Sequence, residues 1–335
     1  MRNSAKDAPR STAQEAARYG SLTGTVLDGR YRIGDKVGEG GMSWVYKAEE
    51  IGTGRTVAIK LLPPRLAKDS AAVERLRREA DIADRFEHPN VCPILAFGHT
   101  DENVLYLVMP FLTGETLSDY EIRTRAVPLR EGVQILVQVC RGLQHAHDLG
   151  IIHRDLKPEN VMLVGDDGRQ SSVFGHHPTD DRRPKTDDQS RSPRAVVMDF
   201  GLAKRRRASA EVVKLTQTGI VLGTPEFMSP EQIRGRPLDG RSDIYAVGVL
   251  AFELFTGQLP FVGKDAQETM MARLKGLPRR LREFRPDLPS RLDAVVARAL
   301  ELAPEDRYQS MNDFANALER VVSGGRLARL FRRRP

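Results

Sequence analysis

The chain has 335 residues, 40% of them hydrophobic, and a formal net charge of +7. That length fits one large or two small globular domains, and the longest apolar run, Ile244–Phe252, falls well short of the roughly 18 residues a membrane-spanning helix needs. Residues 1–30 contribute +2, residues 323–335 contribute +5, and the stretch between them is balanced, so the basic excess belongs to the ends and argues for a sticky tail rather than a basic nucleic-acid-binding domain.

Residues 1–24 are small and polar without periodicity and read as a disordered segment. They hold no apolar core of the secretory kind, which gives a cytoplasmic expectation. Cys92 and Cys140 lie far apart in apolar contexts, outside any metal or redox spacing, and read as two buried reduced thiols.

From Tyr31 the pattern turns to strands: "YRIGDKVGEG", "SWVYKAEE" and "TVAIKLL", broken by glycine turns. A helix follows over Ser70–Arg85, with Val73, Leu76, Ala80 and Ala83 on one face. "ILAFGHT" and "VLYLVMPFL" return to strand. After Gly114 the chain reads as helical. Val133, Leu136, Cys140 and Leu143 form one stripe, and Ile244–Phe255 is a nearly all-apolar helix stopped at Gly257. "RLDAVVARALEL" and "MNDFANALERVV" close the chain as amphipathic helices.

Four motifs carry chemistry. In "VGEGGMSWVYKA", Gly38, Gly40 and Gly41 sit between two strand-like runs, where backbone without Cβ atoms can close over phosphates; alone, such a hairpin is more often structural. "VAIK" ends in Lys60, and Glu79 stands on the following helix, placed to hold that ammonium against α- and β-phosphates. "HRDLKPEN" sets Asp155 and Asn160 on one loop as base and metal ligand, with Lys157 in reach of a γ-phosphate. "DFG", Asp199–Gly201, supplies a metal-binding carboxylate after the strand "AVVM".

In this order the set resembles the signature of the bacterial eukaryotic-type (Hanks-type) Ser/Thr protein kinases, from about Val26 to Val322. The resemblance implies an α+β fold of two lobes: residues 25–110 as a β-rich N-lobe with one main helix, and 111–322 as a helical C-lobe. It implies ATP and Mg²⁺, with Mn²⁺ as substitute. Asp155 would orient the substrate hydroxyl, Asn160 and Asp199 would hold the metal, and Lys60, Glu79 and Lys157 would anchor phosphates. Gly38, Glu39, Gly40, Gly41, Met42 and Ser43 would form the nucleotide loop. Val45, Ala58 and Met162 would enclose the adenine, with Met109 as gatekeeper and Pro110 and Leu112 offering backbone groups. Ser43 and Pro110 depart from the usual residues.

Thr224 would help seat a Ser/Thr substrate, and Thr216 and Thr218 are the autophosphorylation positions. Glu231 would pair with Arg307 and support the lower lobe, while Asp243 would bind the catalytic-loop backbone. The partners implied are proteins carrying Ser or Thr, and self-association through the N-lobe. A pseudokinase scaffold is the alternative, set against the presence of Lys60, Asp155, Asn160 and Asp199.

Three segments remain. Residues 165–194, with six acids and six bases, separate two strands that must converge on one nucleotide, so they read as a disordered insertion in a hairpin. Lys204–Arg207 reads as a solvated charge run and His176–His177 as loop histidines. The basic tail 323–335 places Leu327, Leu330 and Phe331 on one helical face, suited to an anionic membrane surface.

Overall fold

The computed structural model describes residues 22–40, 43–62, 64–67, 69–100, 104–165, 193–200, 225–276 and 278–331. The chain divides into two compact units: residues up to Arg85 with Pro93–Leu112, and Phe86–Cys92 with those from Thr113 onward.

The first unit is a six-stranded antiparallel sheet. Its strands are β1 (Val26–Leu27), β2 (Tyr31–Gly40), β3 (Ser43–Glu50), β4 (Arg55–Leu61), β5 (Ala96–His99) and β6 (Leu105–Pro110), in the order β1-β2-β3-β4-β6-β5. Two helices, α1 (Pro64–Ala67) and α2 (Ser70–Ala83), connect β4 to β5. The alternation in the sequence works as expected, because successive side chains of a strand point to opposite faces. Tyr46, Ala48, Val57, Ile59, Leu61, Tyr106 and Val108 all fall on the core side. The α2 helix buries Leu76, Ala80 and Ala83, three of the four residues on its predicted face.

The second unit opens with β7 (Gly114–Thr116), which pairs with β8 (Val161–Val164), itself paired with β9 (Arg194–Val197). Gly114 is required there, since a Cβ would stand 2.1 Å from the Leu163 carbonyl oxygen. The helices are α3 (Leu117–Thr124), α4 (Leu129–Asp148), α5 (Pro230–Ile233), α6 (Gly240–Thr256), α7 (Ala266–Lys275), α8 (Leu281–Phe284), α9 (Ser290–Ala299) and α10 (Met311–Phe331). α6 is buried almost all round, from Ser242 to Phe255, with α4, α8, α9 and α10 packed against it. Asp239 caps its start, accepting from Arg241 N–H, and Gly257 ends it at φ +64°, a conformation with no steric cost for glycine.

Three differences from the sequence reading have physical causes. The segment Phe86–Cys92, expected in the N-lobe, belongs to the second unit because its backbone is stitched to β9. Val197 N–H donates to Asn90 O and Cys92 N–H to Val197 O, both at 2.9 Å. Arg194, placed in the insertion by sequence, is the first residue of β9 and faces Val164. α10 runs to Phe331 and so takes in much of the basic tail. Residues 166–192 of the insertion, His176 and His177 among them, and Lys204–Arg207 lie outside the described residues, as does the N-terminal segment through Ser21. No helix among the described residues is long and apolar enough to cross a membrane.

Candidate active site

In the first unit, strand register brings the predicted nucleotide residues together. Val45 on β3 faces Lys60 on β4, and Ala58 on β4 faces Met109 on β6. Residues directly opposite share a face, as do positions two apart on one strand, so these four side chains lie on one side of the sheet. Gly38 joins them through its pairing with Val45. This is the face opposite the core. Val45, Lys60 and Met109 are half-buried and Ala58 is 8% exposed, whereas Tyr46 and Ile59 on the other face are fully buried.

Gly40 pairs with Ser43, so the glycine-rich segment is a β-hairpin; Gly41 and Met42 lie outside the described residues. Glu39, exposed, is held by Lys36 at 2.6 Å. Glu79 stands half-buried on α2, one position before the buried Ala80. Pro110 ends β6 opposite Val57, on the core side. Leu112 follows at the end of the unit.

In the second unit the catalytic loop is held almost entirely by side chains. Asp243, 1% exposed at the start of α6, accepts His153 N–H on Oδ2 at 2.8 Å and Arg154 N–H on Oδ1 at 2.9 Å. His147 Nε2 meets the same carboxylate at 2.7 Å. Burial opposes charge on Asp243. The His147 hydrogen bond, the charges of His147 and His153 and the His153 N–H outweigh it and hold the carboxyl below its ordinary range.

His153 is fully buried. Its Nδ1 accepts Asp155 N–H at 3.3 Å, so in the neutral ring the proton sits on Nε2, which donates to Met198 O at 2.8 Å. The loop is thereby tied to the residue preceding Asp199. Asn160 closes the same circle. Its Nδ2 donates to Asp155 O at 2.7 Å, and its carbonyl accepts Met198 N–H at 2.8 Å.

Asp199 has φ +56° and Arg154 φ +64°. Both lie in the left-handed region, which non-glycine residues occupy where the surroundings over-determine the backbone. Phe200, 7% exposed, packs on Phe86 at 5.1 Å and on His153 at 4.8 Å between ring centroids. Lys157 precedes the turn Pro158–Asn160 and its carbonyl accepts Asn160 N–H at 2.9 Å. Met162, on β8, lies half-buried between Thr116 and Val196.

The donor set suits a hard divalent cation. With Nδ2 of Asn160 committed to Asp155, its Oδ1 could serve a cation as a ligand and Asp199 could add a carboxylate; oxygen ligands of this kind are what Mg²⁺ takes. No cluster of three or more His, Cys, Asp or Glu suited to a metal occurs among the described residues.

Behind the loop, Glu231 and Arg307 form a two-pronged pair, both bonds at 2.8 Å, with Arg307 fully buried. Ser242 Oγ donates to Glu231 at 2.7 Å, and Arg307 also donates to the carbonyls of Glu301, Arg241 and Leu302. Burial raises the Glu231 pKa, but the Arg307 hydrogen bond and charge and the Ser242 hydroxyl leave it below its usual value.

Gly201, Thr216, Thr218 and Thr224 lie outside the described residues. Sequence reasoning missed Asn90, Gln138, His147 and Gln232. Asn90 Nδ2 donates to Ala195 O at 2.7 Å, and Gln138 accepts Ala195 N–H at 3.0 Å and donates to Pro193 O. These fix β9 and hence the approach to Asp199. Their only signal in sequence is an amide beside an otherwise apolar pattern.

The profile of the family described as "Protein kinase domain" matches residues 31–318. The chain is 37% identical to serine/threonine-protein kinase pkn3 of Myxococcus xanthus over 302 residues, covering 89% of this chain and 51% of that protein. It is 35% identical to PknB of Mycobacterium leprae, covering 89% of this chain and 44% of that one. The chain thus spans about half the length of the curated relatives it matches. Among solved structures, the kinase domain of Mycobacterium tuberculosis PknI is similar with a TM-score of 0.65 at 28% identity, covering 89% of this chain and 98% of that one. The sheet face that gathers Val45, Ala58, Lys60 and Met109, the loop that ties Asp155 to Asn160, and these similarities agree: the chain belongs to the protein kinase domain family.

Proposed function

We propose that this chain is an ATP- and Mg²⁺-dependent Ser/Thr protein kinase, with Mn²⁺ able to substitute. The observation that carries the reading is the Asn160 Nδ2 to Asp155 O hydrogen bond of 2.7 Å, which ties the residue that would act as base to the one that would bind metal within one loop. A divalent cation bound by Asn160 and Asp199 would neutralise charge on the phosphates. Asp155 would accept or orient the proton of the substrate hydroxyl, and Lys157 would offset charge on the transferring phosphoryl group. Lys60, steadied by Glu79, would hold the α- and β-phosphates, with Gly38–Ser43 above them. Val45, Ala58, Met109 and Met162 would supply apolar contact to the adenine, and the Pro110 carbonyl and Leu112 backbone its polar contacts. Catalysis would then come from positioning and electrostatics, with no covalent intermediate on the protein.

The acceptors would be serine and threonine, with Thr224 seating the hydroxyl. Thr216 and Thr218 would be autophosphorylated, a proposal supported by their place in the sequence. Self-association through the N-lobe and contact of the basic tail with anionic lipid belong to the same reading. Phosphoamino-acid analysis after incubation with γ-labelled ATP tests it; label on phosphotyrosine alone would contradict it. A pseudokinase has no comparable support, since Lys60, Asp155, Asn160 and Asp199 are all in place.

A further inference from the structure

Arg154, immediately before Asp155, holds a left-handed backbone at φ +64°. Such a conformation is costly for a residue with a side chain and persists where neighbours fix it. Here both of its backbone polar groups are fixed. Its N–H donates to Asp243 Oδ1 at 2.9 Å, and its carbonyl accepts from Gln232 Nε2 at 2.8 Å. The first partner comes from α6, the second from α5.

Gln232 is itself held firmly. It is 7% exposed, its Oε1 accepts Ser229 N–H at 2.9 Å, and its own N–H donates to Ser229 Oγ at 3.3 Å. This reciprocal cap fixes the start of α5. The preceding residue, Glu231, is clamped by Arg307 and Ser242. A short, doubly anchored helix therefore extends one amide into the catalytic loop.

We infer that Gln232 is a positioning residue that sets the orientation of Asp155 by holding the Arg154 carbonyl. The inference rests on the kinase reading. The chemistry of the contact gives it a specific signature. Glutamate at position 232 keeps an oxygen for Ser229 N–H, so the cap survives. Its other carboxylate oxygen then faces the Arg154 carbonyl oxygen, and two acceptors repel. Protonation restores a donor at that atom. Methionine at 232 keeps the bulk and loses both bonds at every pH.

The experiment compares kcat and KM of wild type, Gln232→Glu and Gln232→Met from pH 8 to pH 5.5, with thermal unfolding midpoints alongside. Dividing each variant by wild type removes the common titrations of Glu231, Asp243, His147 and His153 around the loop, while Arg154 and Arg307 stay charged throughout. Gln232→Glu is expected to lose about tenfold in kcat at pH 8, the size of a lost hydrogen bond left as a repulsive contact, with KM for ATP within about twofold. The variant-to-wild-type ratio should rise as the pH falls. Gln232→Met should show the loss without the recovery. Equal kcat for wild type and Gln232→Glu across the range overturns the inference and leaves the kinase reading standing. A loss in Gln232→Glu that does not lessen at low pH, or a parallel recovery in Gln232→Met, assigns the residue to folding alone and also overturns it. If wild type transfers no phosphate at any pH, the kinase reading fails and the inference falls with it.

Discussion

Asp243 Oδ1 accepts the Arg154 amide at 2.9 Å, so a carboxylate at the start of the buried α6 helix holds the residue next to Asp155. The other oxygen takes His153 N–H and meets His147. Removing this carboxylate leaves buried donors without acceptors. Asp243→Ala should cost about 3–5 kcal/mol of stability and abolish transfer. Asp243→Asn, which keeps one acceptor, should be milder in thermal unfolding yet still slow. An Asp243→Ala protein as stable and active as wild type would refute the role.

The Glu231–Arg307 pair makes a separate prediction. Arg307→Met strands a carboxylate that is 6% exposed and should lower stability by about 3–5 kcal/mol. The paired replacement Glu231→Gln/Arg307→Met should recover part of that loss, measured as a double-mutant cycle. Both Glu231 and Asp243 have folded pKa values below their unfolded ones. Their stabilisation is therefore complete above the ordinary carboxylate range and is lost as the pH falls through the folded values. Strictly additive effects in the cycle would show that the pair is not coupled.

Two other carboxylates behave in the opposite sense. Burial, then the charges of Glu253 and Glu159, pushes Glu121 up to about 9. Burial, then Glu159 and Glu226, takes Glu253 up to about 7. Above the unfolded carboxyl value of about 4.3, the folded state binds more protons than the unfolded, so stability declines as pH rises toward those values. Glu121→Gln should therefore raise the unfolding midpoint at pH 8 and leave it unchanged at pH 4. A gain of equal size at both pH values would show that burial of charge is not the cause.

The thiols give a simple probe of folding. Cys92 and Cys140 are buried and form no disulfide, and burial, with a smaller push from Asp199, takes the Cys92 thiol up to about 12. Burial also raises Cys140. Since the thiolate is the reactive form, both should resist a thiol reagent in the native protein and react together on unfolding. Rapid labelling of either under native conditions would contradict their placement.

Much of this was legible in the sequence because period and order carry it. The alternation in "SWVYKAEE" and "TVAIKLL" fixed which residues face the core, and register then put Val45, Ala58, Lys60 and Met109 on the other face. "HRDLKPEN" and "DFG" carried the resemblance to the family. What escaped was support that comes from distant polar side chains. Nothing local in "DRFEHPN" or in a helix stripe announces that Asn90 and Gln138 grip β9, or that Gln232 reaches Arg154. Such contacts depend on tertiary geometry, which hydrophobic periodicity does not encode. The same holds for Phe86–Cys92, whose allegiance to the second unit is set by backbone bonds to Val197.

The central claim is phosphoryl transfer by this constellation. The most direct measurement follows label from γ-labelled ATP into protein serine and threonine in the presence of Mg²⁺, for wild type, Lys60→Met and Asp155→Asn. Wild type should transfer label, the two variants should fall by a factor of at least about a hundred while remaining folded, and chelation of the metal should stop the reaction. Equal labelling in all three proteins, or none in wild type under these conditions, would contradict the account.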